Sequence, residues 1–101
     1  MSGAFTGLDW DTGNWPKCGK HGVSREEIEE VLRGTPSVRP NRHQAGAEAR
    51  FDAVGLNSQG RYVFIVFTIR EKGGNRYLRP ISARYMHQRE IDHYDQEKEG
   101  P

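Results

Sequence analysis

The clearest candidate for acid–base chemistry in this sequence is His21, which directly follows Lys20. The pKa of an unperturbed histidine is about 6.5, so its side chain exchanges protons near neutral pH. Ser24 has the position of a helix N-cap, and a helix N-terminus attracts anions. These residues predict an anion site in which His21 moves protons and Lys20 holds negative charge. The alternatives are a structural histidine bonded to a backbone carbonyl and an ordinary surface lysine.

A second candidate group combines a carboxylate with a guanidinium. Glu48 and Arg50 lie two residues apart in a predicted strand, so their side chains project from the same face, and Asp52 extends the row. Such a pair can act as a base beside a phosphate-binding group. It can equally be part of a cross-strand ion pair, which contributes little to stability at a surface.

Two arginines late in the chain add further capacity to bind anions. Arg84 shares a strand face with Ser82 if no bulge intervenes, and its guanidinium can bind phosphate through two hydrogen bonds. Arg79 has the opposite phase in the same strand, although Pro80 can shift the register. Both arginines are candidates for binding phosphate.

Aromatic residues near both ends of the chain are further candidates. Tyr94 lies four residues after Glu90, on the same helix face, where it can donate a proton or stack on a planar ring. Alternatively, Tyr94 belongs to the core and Glu90 pairs with an arginine. Trp10 fits a core position, whereas Trp15 beside Pro16 is expected to be exposed.

The sequence predicts no metal site and no cofactor. Cys18 and His21 are three residues apart, the other histidines are scattered, and neither Cys-x-x-Cys nor His-Glu-x-x-His occurs. There is no glycine-rich phosphate loop either, because Gly73 and Gly74 are typical of a turn.

The elements that must position these residues follow from caps and periodicity. Ser24 and Glu27 predict a capping box, an apolar stripe follows at helical spacing, and Gly34 ends that helix. Three strands are predicted at 48–56, 61–69 and 76–84, joined by loops at 57–60 and 71–75. A strand at 5–10 and a helical turn at 14–20 are predicted before the capped helix. After that helix, we predict an irregular connection at 38–45 with an edge strand at 37–39, and a closing helix follows the three strands at 86–97. The apolar run at 61–69 predicts a central strand buried on both faces. The pattern is α+β: a small antiparallel meander with an N-terminal capped helix and a C-terminal helix.

Length and charge set the boundaries of these predictions. The 101 residues fit one domain over residues 1–101, and 15 Lys and Arg against 14 Asp and Glu give a net charge of +1. Residues 92–101 hold four acids and one base, so 14 bases and 10 acids remain in residues 1–91. We expect this basic body to attract a polyanion and the acidic tail, from about residue 95 to 101, to be disordered. The lone cysteine excludes an internal disulfide framework, and the absence of a long apolar run or a secretory signal predicts a cytoplasmic protein that spans no membrane.

Several short motifs, taken in order, resemble one known family. Residues 8–11 are Leu-Asp-Trp-Asp, residues 20–24 are Lys-His-Gly-Val-Ser, residues 60–62 are Gly-Arg-Tyr and residues 81–84 are Ile-Ser-Ala-Arg, with Met86, Glu90 and Tyr94 spaced after them. This set, over about residues 5–95, resembles the BrnT family of toxins from bacterial type II toxin–antitoxin systems. The resemblance implies a RelE-like fold and an endoribonuclease that cuts RNA without a metal and thereby inhibits translation. It also implies that a small ribbon-helix-helix antitoxin, BrnA, neutralises the toxin. The antitoxin binds the operator DNA, so the toxin is attached to that DNA only indirectly.

Metal-free RNA cleavage uses the 2′-hydroxyl as the nucleophile, and it needs a base, an acid and cations at the phosphate. On the resemblance, the catalytic candidates are His21, Glu48, Arg50, Arg84 and Tyr94, and the RNA-binding candidates are Lys20, Arg79 and Trp15. We expect the imidazole of His21 and the guanidinium groups of Arg50 and Arg84 to converge in one cationic pocket. The alternative is a non-catalytic RNA-binding or protein-interaction domain on the same fold, a degenerate toxin.

Overall fold

The computed structural model describes residues 5–42, 44 and 48–99, with only the backbone described for Lys17 and residues 95–99. The fold is α+β, as predicted: a five-stranded sheet in the order β1-β5-β4-β3-β2 with helices on its faces. The elements are β1 (Gly7–Leu8), α1 (Trp15–Cys18), a 3₁₀ turn (Gly19–His21), α2 (Arg25–Arg33), β2 (Ser37–Pro40), β3 (Arg50–Leu56), β4 (Tyr62–Lys72), β5 (Asn75–Tyr85) and α3 (Gln88–Glu99).

The predicted capping box starts α2. The hydroxyl of Ser24 accepts a hydrogen bond from the backbone N–H of Glu27, and the Glu27 carboxylate accepts one from the backbone N–H of Ser24, both at 3.1 Å. The same carboxylate accepts a bond from the Tyr85 hydroxyl at 2.7 Å, which ties α2 to β5. At Gly55 of β3, a Cβ atom would lie 2.9 Å from Val31, so the close packing of α2 on the sheet requires glycine there.

The three long strands form the predicted meander. β3 and β4 pair antiparallel from Arg50↔Thr68 to Leu56↔Tyr62, and β4 and β5 pair antiparallel beyond a tight turn. That turn consists of Gly73 and Gly74, whose φ angles of 57° and 82° suit glycine, so the expected loop at 71–75 shrinks to two residues. β1 adds a short parallel edge to β5 and is shorter than the strand predicted at 5–10.

The prediction that β4 is buried on both faces is wrong. Val63, Ile65 and Phe67 are buried under α1 and α2, whereas Phe64 and Val66 on the other face are only half-buried. We call this second face the open face. Among the described helices, α3 alone covers this face, and it does so at one end, where Tyr94 packs on the Tyr62 ring with centroids 5.7 Å apart.

The closing helix differs slightly from its prediction. It was predicted at 86–97 and spans Gln88–Glu99, and the disorder expected for the acidic tail stays a prediction. Residues 100–101 lie outside the described part of the chain, as does part of the irregular connection predicted at 38–45, including His43. None of the helices in the described residues is long and apolar enough to cross a membrane.

Candidate active site

A row of polar side chains crosses three strands at the end of the open face that α3 leaves uncovered. The register pairs Arg50 of β3 with Thr68 of β4, and Thr68 with Arg79 of β5. Since directly paired residues project to the same side of a sheet, these three side chains share the open face. The two strand arginines therefore flank the central strand.

A bulge in β5 brings Arg79 to this face. Val66 pairs with Ser82 whereas Phe67 pairs with Pro80, so Ile81 is the extra residue. Without the bulge, Arg79 and Arg84 would have opposite phases along the strand, as simple alternation predicts. The register shift that Pro80 was expected to permit is present. The carbonyl of Pro80 accepts a hydrogen bond from the Asn14 side chain at 2.9 Å.

The row lines a surface cavity of about 150 Å³. Its lining residues are Gly13, Asn14, Glu48, Arg50, Thr68, Arg70, Arg79 and Ile81. Three guanidinium groups thus face one carboxylate in a space that is open to solvent. We call it the arginine cavity.

Glu48 pairs with Arg70 across the strands rather than with its neighbour Arg50. The Nε and Nη2 atoms of Arg70 donate to the Glu48 carboxylate at 2.6 and 3.2 Å. These bonds are the largest cause of a lowered pKa for Glu48, and the charges of Arg79 and Arg50 act in the same direction. Glu48 is therefore ionised at neutral pH, and the cross-strand ion pair that was left open as an alternative exists with Arg70 as the partner.

Arg50 differs from the other arginines of the cavity. In the described part of the chain its guanidinium makes no hydrogen bond, although its charge acts on Glu48. A half-buried guanidinium with its donors unused can bind an incoming anion through two parallel hydrogen bonds.

Arg79, by contrast, is already bound by two carboxylates. Its Nη1 atom lies 3.1 Å from Asp9 and 3.0 Å from Asp11, and its Nη2 atom lies 3.0 Å from Asp11. Lys72 first and Arg79 second hold the pKa of Asp9 below its usual value, and Arg79 does the same for the pKa of Asp11. With 13% of its side chain exposed, Arg79 lines the cavity and also fixes the segment 9–14 along the edge of β5.

His21 and Lys20 lie elsewhere. Both belong to the 3₁₀ turn, in the helical layer that packs on the other face of the sheet, and both are exposed. Neither lines the arginine cavity. The structure therefore does not bring His21 together with Arg50.

Arg84 and Tyr94 lie at the opposite end of the open face. Arg84 donates from Nη1 and Nη2 to the two carboxylate oxygens of Glu90, both at 2.7 Å, and its guanidinium stacks over the Phe64 ring at 4.8 Å. This pairing lowers the pKa of Glu90 to about 2, with the Arg84 bonds as the largest cause. The Tyr94 hydroxyl lies 2.7 Å from that of Ser37. Glu90 therefore pairs with a strand arginine, as one alternative proposed, and the two ends of the open face form separate groups.

Trp15 forms part of another surface cavity on the far side of the segment 11–14. It is half-buried rather than exposed, and it contacts Trp10 with ring centroids 5.5 Å apart. Trp10 is half-buried against the core cluster. One core and one exposed tryptophan were expected, but both are half-buried and they contact each other.

A family model for the BrnT ribonuclease toxin of type II toxin–antitoxin systems matches residues 10–90. The chain belongs to the BrnT family. The matched span contains every residue that lines the arginine cavity, from Gly13 to Ile81. No curated protein matches the chain.

In this member of the BrnT family, the sequence prediction missed Arg70 and the two aspartates that bind Arg79. The hairpin offered a signal for the first. Once Leu56 pairs with Tyr62, the antiparallel register places residue 48 opposite residue 70. Among the described residues, no cluster of three or more histidine, cysteine or acidic side chains could hold a metal ion.

Proposed function

We propose that the chain is an endoribonuclease that cleaves RNA at the arginine cavity by attack of a 2′-hydroxyl, without a metal. One observation carries this proposal: the Arg50 guanidinium, which makes no hydrogen bond in the described residues, lies in a surface cavity with an ionised Glu48. A carboxylate base and a guanidinium that can bind phosphate are two of the three kinds of group that this reaction requires, and water can supply the acid.

The reaction assigns one task to each group. Glu48 takes the proton of the 2′-hydroxyl, whose oxygen forms a bond to the adjacent phosphorus. Arg50 binds the phosphate oxygens, on which charge builds up in the transition state. The bond from phosphorus to the 5′-oxygen breaks, and that oxygen takes a proton from water, which reaches the open cavity. The hydroxide that remains takes the proton from Glu48, so that water and the carboxylate are both restored. The products are a 2′,3′-cyclic phosphate and a 5′-hydroxyl end.

Two further arginines support these groups. Arg70 orients Glu48 and keeps it ionised, at the cost of making it a weaker base. Arg79 is a positioning residue, because its guanidinium binds Asp9 and Asp11 and holds one wall of the cavity. We assign Arg84 and Tyr94 to the attachment of α3. We assign Lys20 and His21 to electrostatic guidance of the RNA from the neighbouring layer rather than to proton transfer.

The test is cleavage of RNA by the purified chain in a metal chelator. We expect a cyclic phosphate product, loss of cleavage at a single 2′-deoxy position, and loss of activity in Glu48→Gln and Arg50→Ala. Arg33→Ala is the matched control, since Arg33 is an exposed arginine at the end of α2. Activity that requires an added metal, or that persists in both cavity variants, would contradict the proposal.

One observation favours a second candidate, a non-catalytic RNA-binding domain. Glu48 and Arg79 are engaged by other side chains, so the cavity is partly neutralised before RNA arrives. This candidate predicts salt-dependent RNA binding that Arg50→Ala weakens, with no cleavage product under any condition.

For the partner, we propose a BrnA-like ribbon-helix-helix antitoxin that connects the chain to operator DNA, and we propose that cleavage inhibits translation. The family supports an antitoxin in general, because its members are toxins of type II systems. The test is expression of the chain with and without the neighbouring reading frame. We expect expression of the chain alone to arrest growth, and expression with the neighbouring reading frame to yield a complex of the two proteins that copurifies.

A further inference from the structure

A second surface cavity, of about 290 Å³, is connected to the arginine cavity by the segment 11–14, whose residues line both. Its lining residues are Trp10, Asp11, Thr12, Trp15, Pro16 and Arg25. Cavities that bind small ligands typically start at about 300 Å³, so this one has room for a single ring system. We call it the tryptophan cavity.

The two indole rings form a perpendicular corner. Their planes meet at 87°, and the Arg25 guanidinium lies 5.0 Å from the centroid of Trp10 and 5.7 Å from that of Trp15. A flat aromatic ligand that stacks on one ring therefore meets the other edge-on, and aromatic pairs favour both arrangements. The arginine adds a positive charge at the same place.

The polar atoms of the two indoles differ. The N–H of Trp10 donates to Glu29 at 2.8 Å, so that ring is fixed and its donor is used. Among the described residues, no acceptor meets the N–H of Trp15. The corner thus offers aromatic surface, one guanidinium and one unused donor, a set that suits a nucleobase with its ring face and carbonyl or ring-nitrogen acceptors.

A short segment separates the two cavities. Asp11 and Thr12 line the tryptophan cavity, whereas the next two residues, Gly13 and Asn14, line the arginine cavity. The segment is held firmly, because Asp11 binds Arg79 through both carboxylate oxygens at 3.0 Å and also accepts from the Gly13 N–H at 2.7 Å. The tryptophan cavity lies in the helical layer and the arginine cavity lies on the open face. A strand whose phosphate lies at Arg50 must therefore follow this segment from one face to the other to place one of its bases in the corner.

We propose that the tryptophan cavity binds one unpaired base of the same RNA strand whose phosphate occupies the arginine cavity. This inference rests on the proposed function and adds a requirement for single-stranded RNA. A base inside a duplex has both faces stacked and cannot enter the corner. Stacking on aromatic side chains tolerates different bases, so the site selects unpaired structure more strongly than sequence.

The experiment measures binding of a short single-stranded oligoribonucleotide whose 2′-hydroxyls are methylated, so that it cannot be cut. Tryptophan fluorescence reports occupancy, because the chain contains only the two tryptophans of the corner. The same oligonucleotide is tested with each base removed in turn. We expect quenching by the intact oligonucleotide, and one abasic position that weakens its affinity roughly tenfold, in the range of one stacking contact.

The variants connect that loss to the corner. Trp15→Ala is expected to weaken binding of the intact oligonucleotide roughly tenfold but to leave binding of the critical abasic one unchanged, since both changes remove the same contact. Trp15→Phe keeps a stacking surface and should bind within about threefold of the unchanged chain. Thermal unfolding of both variants tests whether the fold persists, and Trp15→Phe gives the answer if the alanine variant does not fold.

Failure of the inference and failure of the proposed function are distinguishable. If Trp15→Ala binds the intact and abasic oligonucleotides with equal losses, or with none, the base site is wrong while cleavage in chelator still stands. If the unchanged chain cleaves nothing but shows base-specific binding at Trp15, the base site stands and the catalytic proposal is wrong.

Discussion

The two ends of the open face carry the same residue type in two different states. At one end, Arg84 is bound by both carboxylate oxygens of Glu90 and stacks on Phe64, so its guanidinium is committed to holding α3. At the other end, Arg50 lines a cavity, and in the described part of the chain no helix covers that cavity and the Arg50 guanidinium makes no hydrogen bond. Of these two arginines, the one that has no carboxylate partner among the described residues keeps its hydrogen-bond donors available to a ligand.

Whether an arginine lines the cavity says less about its ability to bind a phosphate than whether its hydrogen-bond donors are available. Arg79 lines the same cavity as Arg50, yet Asp9 and Asp11 already accept three hydrogen bonds from its guanidinium. Within one site, then, one arginine is free to bind a phosphate and another builds the wall. The following predictions test this division, from the largest expected effect to the smallest.

The largest expected effect is the difference in RNA cleavage rate between Arg50→Ala and Arg84→Ala. Loss of one group that stabilises transition-state charge typically lowers the rate by about 100- to 1,000-fold, and we expect Arg50→Ala to lower kcat/KM for RNA by that amount. Arg84→Ala should stay within about threefold, because Arg84 is paired within the fold. Initial rates on one oligonucleotide, at equal concentrations of folded protein, measure both. Equal losses in the two variants would contradict the division of the open face.

Arg70→Gln should change the pH dependence of cleavage. Glu48 acts as a base only when deprotonated, so the rate falls as the pH drops through its pKa, which Arg70 holds below the usual value. Without Arg70 that pKa rises, and the acid limb of the pH–rate profile moves to higher pH. We expect a rate loss of about tenfold at neutral pH from lost orientation. An acid limb that stays in place would show that Glu48 is not the base.

Glu90→Gln should alter stability at acid pH rather than activity. The pKa of Glu90 in the folded chain is about 2, below its ordinary value of 4.5. A lowered pKa contributes stability that is present above pH 4.5 and is lost as the pH falls toward 2. Since the pair is one-third exposed, we expect it to contribute only about 1 kcal/mol. Urea unfolding at pH 6 and pH 3 should show that the free energy of unfolding falls less between the two pH values in the variant than in the unchanged chain. An equal fall in both would contradict the assignment.

Tyr94→Phe should have the smallest effect. It removes the hydrogen bond to Ser37, which is solvent-exposed, but keeps the ring contact with Tyr62. We expect a loss of about 0.5 kcal/mol in the free energy of unfolding and unchanged cleavage. Loss of cleavage in this variant would return Tyr94 to the list of catalytic candidates.

Local signals predicted most of the fold. The Ser24–Glu27 capping box, the turn residues and the apolar run of β4 each act over a few residues, and the elements they specify are present. The second face of β4 was mispredicted because its cover depends on where α3 packs. No local pattern contains that information.

The candidate site was predictable only in part, for the same reason. Strand alternation predicted Glu48 and Arg50 on one face of a strand at 48–56; β3 begins only at Arg50, but both residues line the cavity. The hairpin register, extended by two residues, adds Arg70. The bulge that turns Arg79 to the open face depends on pairing with β4. The two aspartates that bind Arg79 lie 70 and 68 residues away in the sequence. The catalytic candidacies of His21 and Arg84 came from residue type and family resemblance, which say nothing about the partner each side chain finds.

The most direct test of the central claim is nuclear magnetic resonance of the arginine side chains. The chain is titrated with a short RNA that carries 2′-O-methyl groups and cannot be cleaved. We predict that the Nε–H resonances of Arg50 and Arg70 shift and saturate with the ligand, while that of Arg84 stays in place. A saturating shift at Arg84 with none at Arg50 would contradict the claim that RNA binds at the uncovered end of the sheet.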